Sequence, residues 1–181
     1  MKRLVYFLAS ILVGLTATAA RSVFADPADL NLTQDKLTML QRSCKEAQSQ
    51  LQRIRPTDTV TRTNRGNEYR TIIKLMNAFD SRVAQNKFDA SKLSAIASSL
   101  DTKVGQLSDN FTKYDNTLSN VITMNCQNQP ALFYVGLTQL RGQRAQIASD
   151  IRVMDQLTVD YGAGVKEIRA KVAGATPGVT P

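Results

Sequence analysis

Residues 91–125 read SKLSAIASSLDTKVGQLSDNFTKYDNTLSNVITMN, and this stretch decides the fold. Within it Leu93, Ala97, Leu100, Val104, Leu107, Phe111, Tyr114, Leu118 and Val121 follow one another at alternating four- and three-residue steps, and Asn125 closes the series. That spacing is the a/d seam of a helix lying lengthwise against other helices. A strand would need alternation at every second residue, which the stretch does not have. No proline interrupts it.

The same steps recur on both sides. Upstream, one set is Leu30, Thr33, Leu37, Leu40, Cys44, Ala47, Leu51 and Ile54, and a second is Tyr69, Ile72, Met76, Phe79 and Val83. Downstream the set is Phe133, Leu137, Leu140, Arg144, Ile147, Ile151, Met154, Thr158, Tyr161, Val165, Ile168 and Val172. Helices are therefore predicted over about 30–55, 68–86, 90–125 and 130–172. Asn31 with Gln34 makes a capping box for the first, and Pro56 is expected to stop it. Asp89 or Ser91 caps the third, and Pro130 suits the first turn of the last. Gly162 and Gly164 weaken the last helix, but Tyr161, Val165 and Ile168 hold the register across them, so it should continue. At 1.5 Å per residue the last two segments run about 54 and about 64 Å, the arms of one antiparallel hairpin. The expected fold is all-α: an elongated, coiled-coil-like antiparallel bundle over residues 26–173, with a Pro/Gly/Thr tail at 174–181 expected to be disordered.

The N-terminus gives an address. Met1-Lys2-Arg3 precedes an apolar run from Leu4 to about Ala20, and Val23 and Ala25 are the small residues a signal peptidase needs at −3 and −1. Cleavage is expected after Ala25, making residues 1–25 a signal peptide and the remainder extracytoplasmic, at the cell envelope or exterior. An uncleaved N-terminus acting as an anchor is the alternative, and the only membrane attachment expected. The whole chain carries a formal charge of +8, and cleavage removes three cations (Lys2, Arg3 and Arg21) and no acid. A mild basic excess suits contact with anionic envelope polymers or lipid headgroups, and a protein partner is the other expectation. No basic cluster interleaved with aromatics suggests nucleic acid.

Two cysteines, Cys44 and Cys126, are the only thiols, and in an exported chain they are expected to pair. Closing a loop of about 80 residues would stabilise the fold by at most about 4.5 kcal/mol. The bond would also place the middle of the first segment at the tip of the long hairpin. The first two segments then add up to one interrupted helix of a three-helix bundle. Residues 30–43 would project past the tip, exposing Leu30, Leu37 and Leu40 as a candidate docking stripe. A helix that bends back, or a third segment longer than expected, would cover them instead.

Little chemistry is offered. The chain has no histidine and no tryptophan, which removes the usual general base, Ser-His and Cys-His nucleophile pairs and most zinc sites. Glu46, Glu68 and Glu167 are the only glutamates and fall on different segments, so no glycosidase pair is expected. No catalytic residue, cofactor or metal is assigned. Arg62, Asn64, Arg65 and Gly66 lie where a loop should enter the second segment, and helix N-terminal amides there would attract an anion. Arg144 sits on a seam position, where it must snorkel or find an acid. The function expected is binding or scaffolding through helical surfaces. The alternative is a carrier of a small anion or lipid, in a pocket of Tyr69, Phe79, Phe111 and Tyr114 with Arg62 or Arg65 at its mouth.

Overall fold

A long helix whose seam changes character halfway along sets the shape of the molecule. The computed structural model describes residues 32–175, and among these are three α-helices and no strand: α1 (Gln34–Gln85), α2 (Ser91–Thr123) and α3 (Pro130–Ala175). Residues 1–25 (expected to be a signal peptide), Leu30, Asn31 and the residues from 176 lie outside the described residues. The N-cap of α1 is Thr33, two residues after the Asn31 expected, and its hydroxyl accepts from the Lys36 amide.

α1 corrects the expected break. The segments expected at 30–55 and 68–86 are a single helix of 52 residues with Pro56 inside it. Proline costs a helix interior about 3 kcal/mol by removing an amide and crowding the carbonyl four residues back. Here the flanking turns are held to the hairpin by side chains. Arg55 makes a two-pronged bond to Asp115, 3.1 and 3.2 Å, and Asp58 accepts from Tyr114 at 2.6 Å. The seam does not stop at Ile54. It passes through Asp58, Arg62 and Arg65 to Tyr69, at helical spacing but in polar residues.

α2 and α3 form the expected antiparallel hairpin and share the most extensive contact in the molecule. Fully buried side chains run along it: Leu93, Leu100 and Leu118 from α2, Phe133 and Met154 from α3. Two α3 glycines set the helix separation. A Cβ on Gly136 would fall 2.5 Å from Val121 Cγ2, and one on Gly164 would fall 2.6 Å from Leu93 Cδ2. These lie near opposite ends of the hairpin, and α3 continues unbroken through Gly162-Ala163-Gly164.

α1 lies along the hairpin, antiparallel to α2 and parallel to α3, with the α1–α3 contact the thinner of the two. Three tyrosine–aspartate bonds tie it down: Tyr69 to Asp155, Tyr114 to Asp58 and Tyr161 to Asp80, each 2.6 Å. Each tyrosine comes from a different helix, and every bond has one end on α1. Tertiary bonds thus supply what the apolar seam of α1 lacks.

Candidate functional site

The tip of the bundle forms around the disulfide. Cys44 in α1 bonds to Cys126 in the α2–α3 turn, with Cα atoms 5.9 Å apart, and both residues are fully buried. One turn further along α1 the buried Gln48 points its amide at the end of α2, donating to Val121 O and Met124 O, each at 2.9 Å. Val121 lies in the last turn of α2, where carbonyls run out of helical amides, and Met124 O also accepts from the Cys126 amide, so Gln48 acts as a C-cap supplied from another helix. Gln41 donates to Gln127 O at 3.1 Å. α3 begins only at Pro130, level with Cys44 in the parallel register set by Asp58–Arg144 and Tyr69–Asp155. The first ten residues of α1, about 15 Å of helix, therefore extend past the start of α3. Of the expected stripe, Leu37 and Leu40 are half-buried there, while Met39 is 62% exposed.

Halfway down lies a polar belt. Asp58 accepts from Tyr114 and from Arg144, so the seam arginine of α3 has its acid at 3.1 Å. The Arg144 side chain is 54% exposed and that of Asp58 only 17%, so the pair is worth under about 1 kcal/mol. Burial pushes the hydroxyls of Tyr69, Tyr114 and Tyr161 well above their ordinary pKa, and the bonded aspartates add to the effect. These groups stay protonated and serve as donors.

The expected anion loop does not exist as a loop. Arg62, Asn64, Arg65 and Gly66 sit inside α1, whose amides there are engaged in the helix, so no helix N-terminus is presented. Arg65 turns to Glu68 on its own helix at 3.0 Å, and Asn64 is exposed. Arg62 and Gly66 do line a groove, of about 170 Å³, between α1 and α2. Arg70, which the sequence reading passed over, shares it, above a floor of Leu107 and Phe111. Among the described residues neither Arg62 nor Arg70 makes an ion pair: Arg62 donates to Thr112 and Arg70 to Asn67. The pocket expected from Tyr69, Phe79, Phe111 and Tyr114 is not one pocket. Tyr69 is core, Phe79 packs edge-on against Tyr161 at the base, and only Phe111 and Tyr114 share a groove with Arg62.

At the base, Asn86 ends α1 and Lys87 takes the left-handed conformation, φ 61°. The Phe88 amide reaches back to Val83 O and the Lys87 amide to Ala84 O, which is a Schellman stop. Asp89 then accepts from the Ser91 amide at 2.9 Å and opens α2, and the bonds from Ser91 hold its carboxyl below the usual range. Beside this turn is an apolar groove of about 440 Å³, lined by Phe79, Val83, Phe88, Ile168 and Val172 with Arg82 and Arg169 at its edge.

Among the described residues no group of acidic or cysteine side chains is placed to hold a metal ion, and no helix is long and apolar enough to cross a membrane. The disulfide suggests a non-reducing, extracytoplasmic setting. Comparison with protein families, curated proteins and solved structures finds no match to this chain.

Proposed function

We propose that the protein is exported and acts outside the cytoplasm as a rigid helical rod, a binding or scaffold protein that engages its partner through helical surfaces and not through catalysis. The observation that carries this reading is the disulfide-pinned tip, where α1 runs about 15 Å past the start of α3 and presents Met39 to solvent. A bonded pair of cysteines beside a helix end that runs past its neighbour supports a fixed, presented surface. The signal-peptide grammar of residues 1–25 supports the address. Protein or anionic envelope polymer is the partner class this surface suits. A photo-reactive residue introduced at Met39 in expressing cells should give a discrete higher-mass adduct, and one at the exposed Ser98 on α2 should not. Equal adducts from both positions, or none from Met39, would contradict the reading.

A second reading, the carrier, is favoured by the α1–α2 groove, where Arg62 and Arg70 lack acidic partners above Phe111. A small anionic ligand held there should survive native mass spectrometry of the exported product and vanish in Arg62→Ala/Arg70→Ala. An unliganded mass from the native source would count against it.

A further inference from the structure

The base of the bundle carries a second surface, and it is built differently from the tip. α2 starts at Ser91, and its first turn is already spent against the other helices: Ser94 bonds to Asp80 at 3.1 Å, Leu93 fills the space over Gly164, and Lys92 reaches Glu167 at 3.3 Å. Past that level α1 and α3 run on as a pair, to Gln85 and Ala175, without a third helix between them. Among the described residues the gap is closed only by the turn, whose half-buried Phe88 folds under Val83. What remains open is the groove of Phe79, Phe88, Ile168 and Val172, with Val172 43% exposed.

The charges around it are mostly positive. Arg82 and Arg169 stand in the rim, and the exposed Lys87 and Lys171 lie beside it. Among the described residues none of these four makes an ion pair within 4.0 Å. Two of the acids at this end are engaged elsewhere, Asp80 buried on Tyr161 and Ser94 and Glu167 paired with Lys92, while the exposed Asp89 holds the Ser91 amide and lies within electrostatic reach of Lys171. An apolar groove rimmed mainly by cations, with Arg82 and Arg169 at its edge, is complementary to one kind of surface, an anionic headgroup layer over acyl chains. We propose that the base of the bundle docks onto anionic phospholipid membrane, with Phe88 and Val172 entering the interface and Arg82, Arg169, Lys87 and Lys171 lying among the headgroups. This goes beyond the tip-binding reading and stands or falls separately from it.

The test is flotation of the exported product with vesicles of phosphatidylcholine alone or mixed with phosphatidylglycerol. Binding is expected only to the mixed vesicles and should weaken with added salt. Each headgroup-level cation is worth about fivefold in partitioning, so Arg82→Glu/Arg169→Glu should reduce binding by at least about 25-fold. Arg53→Glu/Arg141→Glu, exposed cations away from the base, should change it by less. Because the chain contains no tryptophan, Phe88→Trp gives a single reporter whose emission should shift to the blue on mixed vesicles. Equal binding to neutral vesicles, equal loss from the base and remote reversals, or an unshifted emission overturns the proposal. So does a dimer in sedimentation that the base reversal breaks while vesicle binding is unchanged.

Discussion

Tyr161→Phe is the sharpest test of how α1 is held. The hydroxyl of Tyr161 sits 2.6 Å from Asp80 Oδ1 and 2.9 Å from Met76 O, with one proton to donate. Both Tyr161 and Asp80 are buried, and Ser94 serves the other carboxylate oxygen. Removing the hydroxyl leaves Oδ1 without a donor where water scarcely reaches. Losing a hydrogen bond to a charged group costs about 1.5–3 kcal/mol, so about 2 kcal/mol is expected. For a chain of this size that lowers Tm by roughly 4–8 °C. Tyr69→Phe should cost less, because Asp155 is exposed and can be resolvated. Tyr114→Phe should also cost less, because Asp58 keeps Arg144. Urea unfolding followed by far-ultraviolet circular dichroism measures all three. The pH dependence follows from the same bonds. A tyrosine pKa raised by folding means that the native state keeps protons the unfolded chain loses. Its stabilisation is complete below the ordinary tyrosine pKa of about 10 and falls as pH rises beyond it, by up to about 1.4 kcal/mol per pH unit for each of the three tyrosines. Tyr161→Phe should therefore flatten the alkaline limb. If the variant is as stable as the parent, with an unchanged limb, the bond does not hold α1 in place.

Other outcomes follow from packing. Cys44→Ser, or reduction, should lower stability by at most a few kcal/mol and keep most helix content, since the α2–α3 seam does not run through the bond; an unchanged melt would show the disulfide to be idle. Gly136→Ala should destabilise by about 1–2 kcal/mol in urea, because the new methyl meets the stiff, buried Val121. Gly142→Ala, with nothing within 4 Å, should stabilise by about 0.5–1 kcal/mol, and the opposite order of these two would refute the packing at the hairpin. N-terminal sequencing of the exported product should begin near Asp26.

The hairpin and the disulfide were legible because they are written in apolar periodicity and in a pair of thiols. The continuity of α1 was not. Pro56 is a strong local stop signal, and Asp58, Arg62 and Arg65 look like loop residues until their partners are known. Their spacing from Ile54 to Tyr69 was helical, but a period carried by polar residues has meaning only when Tyr114 and Arg144 are seen to face Asp58, and Thr112 to face Arg62. Seam tyrosines at 69, 114 and 161 were the available clue, because a buried hydroxyl needs a partner. The base groove had no sequence signature. It arises from where α2 starts relative to two longer helices, which is a property of register.

The proposed tip surface depends on α1 being one rod across Pro56. Met39 and Leu75 are both exposed and stand 36 residues apart, ten full turns, on either side of Pro56. With the native cysteines bonded to each other, spin labels attached through Met39→Cys and Leu75→Cys report their separation by pulsed dipolar spectroscopy. A continuous helix places them about 54 Å apart in a narrow distribution. A maximum well short of that, or a broad distribution, would mean that the helix breaks at Pro56 and that the tip does not project.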